Sequence, residues 1–361
     1  MRHSAWTSNP MGEPDPVPGE DTAGQTAEIV AAFIAAIDAG VSHEEAGRQA
    51  AEANIDMLTI AVAESMLAKT DAAAASRHAR QAQIAQRWGT ALDAYYVVTQ
   101  GAAELGALVA QPRPQAALDS MSKALVLLQA RACQTSFEVH ALLAAGFPGG
   151  AYGRYRTLHE LAVIAALVSE YGRQPGHAHL ADRFLGHAVI EQYRQAGHRQ
   201  RSGPGLGWPP LPAETMRELK QKHDRLIRRY GRDYRADYGW AAGLIEPPLT
   251  FARLEAKADM GYLRYLYVTG SHLIHASAHG MTLTVPGQGD PASLTLTGPS
   301  DTGLAQPAQA SLNTLIAVTG GLIEHGPAPG NPNSYLNFLA LHELRKRTIT
   351  LLNQAEDRTP P

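Results

Sequence analysis

Two short stretches hold most of the side chains that could do chemistry. One is RYRTLHE, with Arg154, Arg156, His159 and Glu160; the other is SHLIHASAHG, with Ser271 and His275. On a helix at about 100° per residue, Tyr152, Arg156, His159, Glu160 and Val163 share one side, while Arg154, Leu158, Leu161 and Ala165 share another. An imidazole titrating near neutral pH moves protons, and a guanidinium stabilises developing negative charge. His159 and His275 are therefore acid/base candidates, and Arg154 and Arg156 are anion stabilisers. Ser271, four residues before His275, is placed to fix its tautomer, and Glu160 to orient Arg156 or bind a metal. The plainer alternatives are an ordinary i,i+4 ion pair between Arg156 and Glu160, worth about 0.3–0.5 kcal/mol, and a satisfied histidine near a helix end. Arg154 projects among leucines and should have an acidic or phosphate partner, or reach solvent by extending its stem.

A third feature is charge segregation. Between Arg194 and Arg235, 11 Lys and Arg face 4 Asp and Glu, in a chain of net charge −3. Tyr230, Tyr234 and Tyr238 interleave with that run. The pattern suits a phosphate-tracking surface, with Arg217, Lys220, Arg225, Arg228 and Arg229 as nucleic-acid contacts, or simply a solvated charged face. The net charge argues against the whole protein being a polyanion binder.

The elements that must position these groups are helical. Ala, Leu, Gln and Arg are abundant and β-branched runs are few, which favours an all-α fold. Residues 1–24, rich in Pro and Gly, read as a disordered tail. Residues 25–111 read as an N-terminal helical module: a helix over 26–38 ended by Gly40, one over 42–69 opened by the capping box Ser42-x-x-Glu45, and one to 110 capped by Asp71. Pro112 and Pro114 mark the boundary to a helical bundle over 112–361 that carries the site. Its helices are expected over 115–145, 151–171, 177–196, 213–230, 249–259, 261–278, 304–324 and 334–354. GHRQRSGPGLGWPPLP reads as a flexible linker. Over 281–302, TLTV and SLTLTG around PGQGDPA suggest a β-hairpin insertion.

The sole cysteine, Cys133, lies in an apolar helical stretch and reads as a buried, inert thiol. No signal peptide or membrane-spanning run is visible, so a cytoplasmic location without membrane association is expected. There is no phosphate-binding glycine loop after a strand and no GxSxG, and nothing calls for a cofactor. The Ala-rich N-terminal helices suit a homo-oligomer.

The runs GFPGGAYGRYRTLHELAV, ADRFLGHAV, YGWA at 238–241 and YLYVTGSHLIHASAHG span roughly residues 124–281. In order and spacing they resemble a bacterial family catalogued as domain of unknown function number fifty-six seventy-seven. In that family an Arg-rich stretch leads into a His-Glu or similar pair, and a later Ser and His lie four apart on one helix. The resemblance implies an all-helical fold and carries no activity. Three functions stay open. Arg154-x4-His159 has the spacing of higher-eukaryote and prokaryote nucleotide-binding (HEPN) helical domains, which implies a nucleic-acid-associated, metal-independent ribonuclease. Tyr155 departs from that motif, which prefers a small polar residue after Arg. A non-catalytic scaffold or sensor is the second reading. The third is a metal-dependent bundle enzyme using His159, Glu160, His187, Glu191, His272, His275 and His279.

Overall fold

Helix propensity and apolar spacing at i, i+3 and i+4 run through almost the whole chain, and the structure follows them. The computed structural model describes residues 22–53, 55–111, 118–283 and 298–358. Among these the regular elements are α-helices and short 3-10 turns, with no strand. None of the described helices is long and apolar enough to cross a membrane.

The chain divides into two compact units, Met1–Ala79 and Arg80–Pro361. The first holds α1 (Thr22–Asp38), α2 (His43–Ala53) and α3 (Ile55–Leu67). Helix α1 begins earlier than the sequence reading placed it, and most of the tail lies outside the described residues. Gly40 ends it as expected, at φ +83°, where a left-handed residue lets Val41 N–H close back on Ala36 O at 3.1 Å. Ser42 caps α2 by accepting from Glu45 N–H at 3.3 Å. The single helix expected over 42–69 is two, α2 and α3.

Helix α4 (Thr70–Ala110) contains the division between the units. The sequence reading set a boundary at residue 111 instead. The physical reason for the difference is burial: beyond Arg80, α4 places Ile84, Trp88, Tyr95, Val98 and Leu105 in the same core as the helices that follow. The Tyr95 hydroxyl reaches Ser136 Oγ at 2.8 Å, and Trp88 donates its indole N–H to Asp301 O at 2.9 Å.

The rest of the second unit is α5 (Ser120–Ala144), α6 (Pro148–Tyr171), α7 (Leu180–Ser202), α8 (Ala213–Tyr230), α9 (Phe251–Lys257), α10 (Arg264–Ile274), α11 (Ala278–Leu283), α12 (Ala305–His325) and α13 (Pro332–Asp357). Asp119 caps α5 through Ser122 N–H at 2.7 Å, and Asn331 caps α13 ahead of Pro332. Helices α5, α6 and α12 pack together at the centre; α13 lies on α12, α8 on α7, and α10 on α6.

Two expectations need correction. The hairpin finds no support in its described part: Met281, Thr282 and Leu283 close the short helix α11, whose start Ser277 caps by accepting from Gly280 N–H at 3.0 Å. A capped helical turn there outcompetes strand propensity in an isolated segment. Residues 284–297 of that expected hairpin lie outside the described residues. The linker after 196 is also shorter than expected. Helix α7 runs on to Ser202, and Gly203–Leu206 forms a 3-10 turn.

Candidate functional site between α6 and α10

Helices α6 and α10 run antiparallel and very close. A Cβ on Gly270 would lie 2.7 Å from Tyr152 O, and one on Gly153 would lie 2.5 Å from Ile274 Cγ2. The two glycines let the polar faces meet. Arg156 donates from Nε to Ser271 Oγ at 2.9 Å and from Nη2 to the Tyr267 hydroxyl at 2.8 Å. Its Nη2 also pairs with Glu160 Oε1 at 3.1 Å. Tyr267 donates in turn to Glu160 at 3.1 Å, and the guanidinium lies 4.8 Å from the centre of the Tyr267 ring. The Arg156 and Glu160 side chains are 24% and 27% exposed, so this pair is half-buried, not the freely solvated one of the plain alternative. Burial pushes the Glu160 carboxyl above its ordinary value, against the pull of Arg156 and Tyr267. Burial likewise pushes the Tyr267 phenol up to about 12. Tyr238 is near enough to feel both charges and is raised mainly by burial.

His159 lies deeper. It is 0% exposed, among Tyr155, Phe251 and Tyr267. Its Nε2 is 2.7 Å from Glu255 Oε1, and the other oxygen of that carboxylate accepts from Arg264 at 2.8 Å. Burial holds the His159 pKa below the usual imidazole value. The neutral ring therefore donates its Nε2 proton to Glu255, leaving Nδ1 as a buried acceptor without a hydrogen-bond partner among the described residues. Of the alternatives for Arg154, the structure shows the acidic partner: Glu138 on α5.

His275 does not join this assembly. Helix α10 ends at Ile274, and His275 turns into extended backbone at φ −101°, ψ 143°, exposed to solvent. The expected Ser271–His275 side-chain bond does not form, although His275 N–H still closes on Ser271 O at 3.1 Å. Ser271 Oγ donates instead to Tyr267 O at 3.0 Å while accepting from Arg156. The later helix thus offers hydroxyls, not an imidazole, to the earlier one. Nor do the histidines gather as ligands. His187 contacts Glu191 at 3.4 Å and Ala236 O at 3.0 Å, and His272 contacts Ser277 at 3.0 Å. Among the described residues no three His, Cys, Asp or Glu side chains form a metal-ligand cluster.

Glu255 was missed in the sequence, although a signal existed. It follows Phe251 and Leu254 at i+4 and i+1, on the inward face of α9, where a carboxylate must find a partner.

The expected nucleic-acid contacts all lie exposed on α8. Arg217 pairs with Glu214 at 2.9 Å and Lys220 with Asp224 at 2.5 Å. Arg225, Arg228 and Arg229 have no carboxylate partner among the described residues, and Arg229 lies over the Tyr230 ring at 5.1 Å.

The fold and site together define an all-helical domain organised about two closely crossing polar helices. Residues 122–288, just under half of the chain, match the model of the family of unknown function DUF5677. Every residue of the α6–α10 cluster lies within that segment. Comparison with curated proteins and with solved structures finds no match.

Proposed function

We propose that the protein associates with nucleic acid through the outer face of α8, and that the α6–α10 polar faces hold the domain together without cutting the bound strand. The observation that carries this reading is the state of the α8 arginines. Three of them, Arg225, Arg228 and Arg229, are exposed with no carboxylate partner among the described residues. At about 100° per residue, Arg225, Arg228 and Arg229 fall within about 100° of arc, opposite the side that buries His223. Cations left unneutralised on one stripe are what counterion release from a phosphate backbone rewards.

The ribonuclease form of this reading, with Arg154, Arg156, His159, Glu160, Ser271 and His275 as a HEPN-like centre and a homodimer bringing two such helices together, has one observation in its favour. The half-buried Glu160 carboxyl, raised beside Tyr267 and Arg156, is suited to proton transfer. Against it, a wholly buried His159 bound to Glu255 cannot reach a ribose hydroxyl, and no contact links His275 to either arginine.

The test is fluorescence anisotropy with labelled single-stranded RNA over a range of salt, with chelator present. Each phosphate contact adds about −0.7 to the slope of log K against log salt. Replacing Arg225, Arg228 and Arg229 together by Gln should make the slope shallower by about 2. Glutamine preserves helix propensity, so the fold is kept. Wild-type affinity and slope in the triple variant would refute the reading. RNA cleavage that disappears in Glu160→Gln would favour the ribonuclease form.

A further inference from the structure

The Gly/Pro-rich segment after α7 is not loose chain. Trp208 N–H closes on Gly203 O at 3.0 Å, and Gly207 takes φ +71°, a conformation that suits glycine. The Gln200 side chain then clamps the far end, accepting from Leu211 N–H at 2.8 Å and donating to Leu211 O at 3.3 Å. What this loop holds in place is an indole 55% exposed, beside Leu206 at 62%.

Both residues face a cleft of about 610 Å³. That size is within the range of small-molecule sites, about 300–1,000 Å³. Gln192, Ala196 and Arg199, at i, i+4 and i+7 on α7, form one wall, and Leu219 of α8 lies opposite. The exposed lining is mainly apolar, and Gln192, Gln195, His198, Arg199 and Ser202 bring polar groups to it. One of them is a charge. Arg199 has no carboxylate at ion-pair distance among the described residues, whereas neighbouring Arg201 is engaged by His198 Nδ1 at 3.3 Å. The surrounding segment is strongly cationic.

We infer that this cleft binds a small amphipathic organic anion, its apolar body against Trp208, Leu206 and Leu219 and its acidic head on Arg199. The inference is independent of nucleic-acid binding, because Leu219 lies on the α8 flank away from the arginine stripe.

The experiment is titration of the full chain with two probes of similar shape: anilinonaphthalenesulfonate, which is anionic, and N-phenylnaphthylamine, which is neutral. Both should saturate at one per chain. Trp208→Ala should weaken both by about tenfold, and Arg199→Gln should weaken the sulfonate by about tenfold while changing the neutral probe by less than about twofold. Both side chains are exposed, and unchanged thermal unfolding verifies that each variant folds. Failure to saturate, wild-type binding by either variant, or equal weakening of both probes by Arg199→Gln would overturn the proposal.

Discussion

Acidification offers the most direct test of the role assigned to His159. The ring is 0% exposed and burial holds its pKa below the usual value, so it is neutral in the folded protein. In the unfolded chain it titrates near the ordinary imidazole value of about 6.5. Below that pH the unfolded state binds a proton that the folded state refuses. Stability is therefore fully present above about pH 6.5 and is lost as pH falls, by up to about 1.4 kcal/mol per pH unit, until the folded ring itself protonates. His159→Gln supplies the control, because an amide Nε2 can donate to Glu255 without titrating. Urea unfolding from about pH 8 to about pH 5 should show a steeper loss for the wild type than for His159→Gln, by up to about 1.4 kcal/mol per unit. His140, also lowered by burial, remains in both proteins and cancels in the difference. Parallel profiles would refute the reasoning, since they would mean that His159 titrates alike in both states. His159→Ala should be much worse than Gln, costing about 3–5 kcal/mol, because it opens a cavity and takes a donor from a buried carboxylate.

Gly270→Ala should destabilise the domain by about 1–3 kcal/mol in the same urea assay, because its Cβ would meet Tyr152 O at 2.7 Å. Gly205→Ala, with nothing within 4 Å of the new carbon, should change stability by less than about 0.5 kcal/mol. Cys133 is buried against Gln129, with its thiol pushed up to about 12 by that burial. It should resist an aromatic disulfide reagent in the native protein and react at once in denaturant; fast native labelling would contradict the burial.

Helix content was readable because apolar spacing and caps such as Ser42 are local signals. Helix α8 matches its expected ends, since the basic stripe and the preceding Pro212 mark it clearly. What depended on distant residues was harder to read. Nothing in GHRQRS or WPPLP states that Gln200 will clamp Leu211, so an ordered loop reads as a linker. Ser271 and His275 stand at helical spacing, but Ser271 Oγ is taken by Arg156 and by Tyr267 O, partners that periodicity does not record. The apolar neighbours of Glu255 mark it as inward-facing, but its partner His159 lies 96 positions earlier in the chain.

The recognisable run RYRTLHE can therefore be specified by assembly without any reaction. Within one and a half turns it reaches three neighbours: Arg154 meets Glu138 on α5, Arg156 meets Tyr267 and Ser271 on α10, and His159 meets Glu255 on α9. Half-buried and buried polar pairs of this kind add little net stability over apolar packing, because desolvation offsets the attraction. Breaking one costs far more than making it gains, since the surviving partner is left buried alone. Such pairs therefore penalise wrong registers more than they reward the right one. A sliding of α10 along α6 by one turn would part Tyr267 and Ser271 from Arg156 and Glu160, and Arg264 from Glu255. The motif is then an address by which α6 selects its neighbours. Glu255→Leu with His159→Leu should accordingly fold with near wild-type stability while tolerating Gly270→Ala better than the parent does, a non-additivity that a triple-mutant cycle measures directly.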